Sequence, residues 1–132
     1  MRSYGETTIL AKEVLKPVEW VGSSRADLKR FPATVQDHVG FALYQAQVGL
    51  KHRDAKPLKG LGANTLEIVS RHEGDAYRAV YTVRFKAAVY VLHAFQKTAK
   101  RGIATPKQEM DLIRGRLAAA CRHYEEAYGE EG

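Results

Sequence analysis

Along this chain the hydrophobic positions change period several times, and each change marks a new element. Val18-Glu19-Trp20-Val21 is a short β-prone segment closed by Gly22. Ser24-Arg25-Ala26-Asp27 then has the form of a helix-capping signature, predicting a short helix to about Arg30. Pro32 keeps Phe31 extended, and Thr34 is the expected cap of a second helix. Its apolar positions Val35, Val39, Ala42, Leu43, Ala46 and Leu50 follow helical spacing, so the two helices form a hairpin. Periodicity disappears over the 14 residues Lys51–Asn64, and long connections inside compact domains are often functional.

The period becomes two at Thr65–Arg71, with Leu66, Ile68 and Ser70 on one face and Glu67, Val69 and Arg71 on the other. His72-Glu73-Gly74-Asp75 turns the chain into Tyr77–Arg84. There Tyr77, Ala79, Tyr81 and Val83 alternate with Arg78, Val80, Thr82 and Arg84. A Phe85-Lys86-Ala87 link leads into the mostly apolar Ala88–Phe95, which suits a central strand. Gln96–Gly102 reads as a cationic loop leaving that strand. Thr105 is the expected cap of a last helix, with Pro106 at its first position. Met110, Ile113, Leu117, Ala120, Cys121 and Tyr124 form its apolar stripe, and Glu125–Gly132 is expected to fray. The fold class is thus α+β: an N-terminal helical hairpin packed on a small twisted antiparallel sheet, with a C-terminal helix. Residues 1–132 suit one domain, with 1–16 a poorly defined lead-in.

Charge changes the picture more than composition does. The net charge is +6, and residues 51–132 carry fifteen Lys or Arg against ten acids. Tyr77–Lys107 holds seven Lys or Arg and no acid, which points to an anionic partner such as nucleic acid. A lone Cys121 cannot close an internal disulfide, and no Cys/His motif suggests zinc. A cytoplasmic location fits, and no apolar run approaches the roughly 20 residues of a membrane span. No metal or cofactor is expected.

Pro57-Leu58-Lys59-Gly60, Leu66-Glu67-Ile68, Tyr77-Arg78-Ala79-Val80-Tyr81 and His93-Ala94-Phe95-Gln96-Lys97 occur in that order, followed by Thr105-Pro106. In this series the chain resembles the phage-derived, HigB-like branch of the RelE/ParE toxin superfamily. The resemblance implies the toxin of a type II toxin–antitoxin pair, a ribosome-dependent endoribonuclease that cleaves mRNA and inhibits translation. It implies as partners a small helix-turn-helix antitoxin, the ribosome and mRNA. Metal-free cleavage of this kind uses the ribose 2′-hydroxyl as an internal nucleophile, so the protein must orient it and stabilise the phosphate.

By resemblance Arg78 takes the position of a catalytic arginine and Lys97 that of a basic group after the last strand. Tyr81 is a candidate for stacking or proton transfer. Where similar toxins carry strand lysines this chain has Glu67 and Val69, and Lys59 from the preceding loop is the candidate substitute. Lys100, Arg101, Arg84 and Lys56 are assigned to the RNA backbone. Glu67 is also placed to pair with Arg78 and align it, and His93 reads as a satisfied core histidine. The resemblance predicts that Arg78→Ala abolishes toxicity without changing the melting temperature. Two other readings stand beside it: a non-enzymatic ParE-like inhibitor of DNA gyrase, and a non-toxic phage-derived protein that binds nucleic acid.

Overall fold

The computed structural model describes residues 15–97 and 105–129. In chain order the elements are β1 (Val18–Trp20), α1 (Ser24–Lys29), α2 (Ala33–Gln47), β2 (Lys56–Pro57), β3 (Thr65–His72), β4 (Asp75–Thr82), β5 (Val89–Lys97) and α3 (Lys107–Tyr128). They build one mixed sheet in the order β1-β5-β4-β3-β2, with α1 and α2 on one face and α3 on the other.

The expected helical hairpin, three-stranded meander and closing helix are all present. The sheet differs from the antiparallel expectation in one pairing, since β1 runs parallel to β5, with Val18 opposite Val89 and Trp20 opposite Val91. Two helices and three strands separate the pair in sequence, more than enough chain for a parallel crossover. A two-residue β2, opposite Glu67 and Leu66, makes the other edge.

β5 is buried along nearly its whole length because both faces are covered, as its unbroken Val-Tyr-Val-Leu run requires. Facing the helical hairpin, Leu66, Ile68, Ala79, Tyr81, Val89 and Val91 pack under Val35, Val39, Ala42 and Leu43. Facing α3, Val80, Tyr90, Leu92 and Phe95 pack with Ile113, Ala120 and Tyr124. Ile113 is fully buried at the middle of that layer. Its replacement by alanine is expected to cost about 2–5 kcal/mol, read from denaturant unfolding.

The β3–β4 turn places both Glu73 and Gly74 at positive φ (50° and 88°), the twist that a two-residue hairpin needs. A register shift at Val80/Tyr81 lets Leu92 and the neighbouring His93 both contribute to the α3 side.

Several helix ends depart from the sequence expectation. Pro32 and Pro106 occupy the N-cap positions of α2 and α3, and Thr34 and Thr105 turn their hydroxyls to His72 and Glu67 instead. Ser24 lies inside α1, fully buried, and donates to the Val91 carbonyl at 3.2 Å. Leu50 lies beyond the end of α2 and is 60% exposed. α3 stays helical through Tyr128 because that ring stacks on Tyr124 at 5.0 Å and its hydroxyl donates to Glu19 at 2.5 Å.

Candidate active site

Strand alternation puts Glu67, Arg78 and Lys97 on the α3 side of the sheet. Arg78 lies opposite Val69 and Phe95, Glu67 opposite Val80, and Lys97 opposite Ala76. Glu67 and Arg78 are therefore offset by one diagonal step between neighbouring strands, within reach of long side chains. Arg78 Nη1 donates to Glu67 Oε2 at 2.7 Å, and both side chains are largely removed from solvent. Thr105, just before α3, approaches the same carboxylate oxygen at 3.4 Å. The ion pair raised by the sequence is formed, so the cationic surface imagined for this face is partly neutralised from within.

Lys97 differs from its sequence reading in place rather than proximity. It is the last residue of β5 and 7% exposed, because the strand continues past Phe95 with Gln96 outward and Lys97 inward. Pairing with Tyr77 and Ala76 extends it, which local polarity could not reveal. Burial first, and then the positive charge of Arg78, hold the Lys97 ammonium below its usual pKa, while Glu67 opposes them. Arg78 and Lys97 thus sense each other electrostatically.

Beside Glu67 opens a cleft of about 580 Å³, lined by Lys56, Lys59, Glu67, Thr105, Met110 and Arg114 among others. Lys56 and Lys59 are exposed on its rim. Glu67 is thus the link between two groups: the buried cations Arg78 and Lys97 face its carboxylate from within, and Lys56 and Lys59 share with it the walls of the opening. The structure separates two other candidates. Arg84 lies past the end of β4, its guanidinium 5.5 Å from the Phe85 ring, beside a different hollow formed by Leu61–Thr65. Tyr81 is fully buried on the opposite face, under the helical hairpin. Lys100 and Arg101 lie outside the described residues.

Among the described residues the buried Tyr81 hydroxyl has no hydrogen-bond partner, and burial pushes its pKa up to about 12. Such a group acts as a packing ring carrying an unsatisfied oxygen. Tyr81→Phe should leave stability unchanged or raise it by about 1 kcal/mol in a urea titration. A loss of several kcal/mol would contradict this placement.

Sequence reasoning missed Arg114 and the neighbours of His93. Arg116 donates to the Leu92 carbonyl at 2.9 Å and lies 3.3 Å from His93 Nδ1. A guanidinium only donates, so Nδ1 is the acceptor and Nε2 carries the proton that meets Glu109 Oε1 at 2.5 Å. The signal was present in the spacing: Glu109, Ile113, Arg116 and Ala120 share one helical face. Gly22 makes room for this arrangement, since a Cβ there would stand 2.8 Å from the Arg116 guanidinium.

The family model for phage derived protein Gp49-like matches residues 26–118. Among solved structures, the chain is similar to the toxin RelE of E. coli, a double arginine mutant in the free state, at a TM-score of 0.51 and 16% identity. That match covers 80% of this chain and 97% of RelE. It is also similar to a chain of the toxin–antitoxin complex RelBE2 from Mycobacterium tuberculosis, with a TM-score of 0.41 and 24% identity over 65% of this chain and 95% of that one. No curated protein matches the chain. Among the described residues no helix is long and apolar enough to cross a membrane.

Proposed function

The chain belongs to the phage derived Gp49-like family, and on that premise, together with its RelE-like fold, we propose that it is the toxin of a toxin–antitoxin pair and cleaves mRNA on the ribosome. The observation that carries this reading is the convergence of Arg78 and Lys97 on Glu67, which forms part of the wall of an opening edged by Lys56, Lys59 and Arg114. Such a site attracts a polyanion and then holds two cations where phosphate charge increases.

In the proposed reaction the 2′-oxygen forms a bond to phosphorus as the bond to the 5′-oxygen breaks, leaving a 2′,3′-cyclic phosphate. Arg78, with one nitrogen committed to Glu67, keeps the rest of its fork for the phosphate oxygens. Lys97 stabilises the same charge and returns a proton to the departing 5′-oxygen, a role suited to an ammonium that burial has made more acidic. The proton leaving the 2′-hydroxyl passes to Lys59 in its free-amine form, which on the cleft rim takes the place of a strand lysine. Lys56 and Arg114 hold the backbone.

Controlled expression followed by mapping of mRNA 5′ ends tests the reading. New ends and arrested growth are expected, relieved by coexpression of a cognate antitoxin. Intact transcripts and normal growth would refute it. Binding should also fall steeply with salt, and Lys56→Ala or Lys59→Ala should each reduce the logarithmic salt slope by roughly 0.7. A flat dependence would exclude phosphate contacts.

One observation favours a second reading. Arg78 is buried and ion-paired, as a purely structural arginine would be, and a ParE-like gyrase inhibitor needs no such catalytic group. Inhibition of supercoiling by the purified chain, without RNA cleavage, would select that alternative.

A further inference from the structure

On the helical-hairpin side of the sheet, three ligand-type side chains meet where α2 gives way to the segment leading to β2. His38 comes from the middle of α2, His52 and Asp54 from the turn that follows. His38 Nε2 lies 3.0 Å from Asp54 Oδ2, and His52 Nδ1 lies 3.8 Å from the same oxygen. One donor atom from each residue falls within 4.8 Å of the others. Ligands about 2.1 Å from a tetrahedral ion stand roughly 3.4 Å apart, so the 3.0 Å His38–Asp54 pair opens slightly and the wider separations, none above 4.8 Å, close to hold an ion.

Two further features support the cluster. The other nitrogen of His38, Nδ1, is 2.8 Å from Ser70 Oγ on β3, the outer hydrogen bond that orients a metal-ligating imidazole. His52 is 8% exposed, edge-on to Phe41 at 5.6 Å, so its ring is held in place by packing. The opposing feature is that His52 Nδ1 now accepts the Asp54 backbone N–H at 2.9 Å, a hydrogen bond exchanged for the metal if that nitrogen is the ligand.

We propose that His38, His52 and Asp54 form a binding site for one divalent transition-metal ion. Two neutral imidazoles and a carboxylate are the donor set favoured by zinc, cobalt or nickel, with a remaining position for water. Ser70 lies on the face of β3 opposite Glu67, so the site is separate from the cleft and independent of the nuclease reading. Its effect is structural: the ion ties α2 to the root of the segment that carries Lys56 and Lys59.

The test uses the full chain, stripped with a chelator and titrated with zinc chloride by calorimetry, with cobalt absorption as a second readout. One equivalent should bind, raise the melting temperature with metal concentration, and give a cobalt spectrum without a thiolate band. Asp54→Ala, at a half-exposed side chain, should retain the metal-free melting temperature and weaken binding by about 100-fold or more. Cys121→Ser should bind as before. The proposal is overturned by absence of binding at about 1 mM zinc, far above the range a three-ligand site should need. Undiminished binding in both Asp54→Ala and His38→Gln would overturn it too, as would a thiolate band that assigns the metal to Cys121.

Discussion

Arg78→Ala is expected to lower stability by about 3 kcal/mol, a fall of roughly 10 °C in melting temperature for a domain of this size. The physical reason is the carboxylate left behind. Glu67 is mostly removed from water and receives the Arg78 guanidinium at 2.7 Å, so truncating the arginine leaves a poorly hydrated charge without its main counterion. This revises the expectation from family resemblance alone, in which Arg78→Ala leaves the fold untouched. Loss of toxicity in that variant would consequently be ambiguous.

The double variant Arg78→Met/Glu67→Leu resolves the ambiguity. Replacing both members of a buried ion pair by apolar groups of similar volume is often neutral or stabilising. Its stability should return to within about 1 kcal/mol of the original, while toxicity stays abolished if Arg78 contacts the phosphate. Chemical denaturation and growth assays on the three proteins supply both readouts. A well-folded double variant with full toxicity would exclude Arg78 from the reaction, and an unchanged melting temperature in Arg78→Ala would deny the pair its structural importance.

Lys97→Met is expected to have a different profile: activity falls by about 10²- to 10³-fold while the chain stays folded. Methionine keeps most of the aliphatic stem that β5 buries and removes the charge. The sign follows from linkage. Because burial and Arg78 hold the folded-state pKa of Lys97 below its ordinary 10.5, the folded chain binds this proton less tightly than the unfolded chain does. The resulting penalty is fully present below the folded pKa and fades as pH rises from there toward 10.5. Relative to the original, Lys97→Met should gain most at neutral pH and least near pH 10, measured by urea unfolding at both. Full toxicity in a folded Lys97→Met protein would remove the lysine from the chemistry.

Part of the site was legible from strand alternation. The same period that placed Arg78 opposite in direction to Tyr77 and Ala79 also placed Tyr81 with those core residues, so the residue pattern already argued against joining Tyr81 to Arg78. Family resemblance pulled Tyr81 toward the site, and the packing of the helical hairpin returns it to the core. Glu67 was likewise readable as a partner because it lies across from Val80, one diagonal from Arg78. Arg116 and Glu109 followed the apolar stripe of α3 and were overlooked because charged residues at such positions are ordinarily assigned to solvent.

The amino-acid sequence by itself determined the identity and order of the main elements, the two-faced burial of β5 and the cationic bias of the second half. These depend on periods of two and 3.6 residues and on charge counts, which are local properties. Tertiary structure decided the parallel β1–β5 pairing, the continuation of β5 to a buried Lys97, the joining of that lysine to the Arg78–Glu67 pair, and the meeting of His38 with His52 and Asp54. Each of these depends on register between segments distant in sequence, where the same side chain is solvated or enclosed according to which neighbour the strand or helix meets.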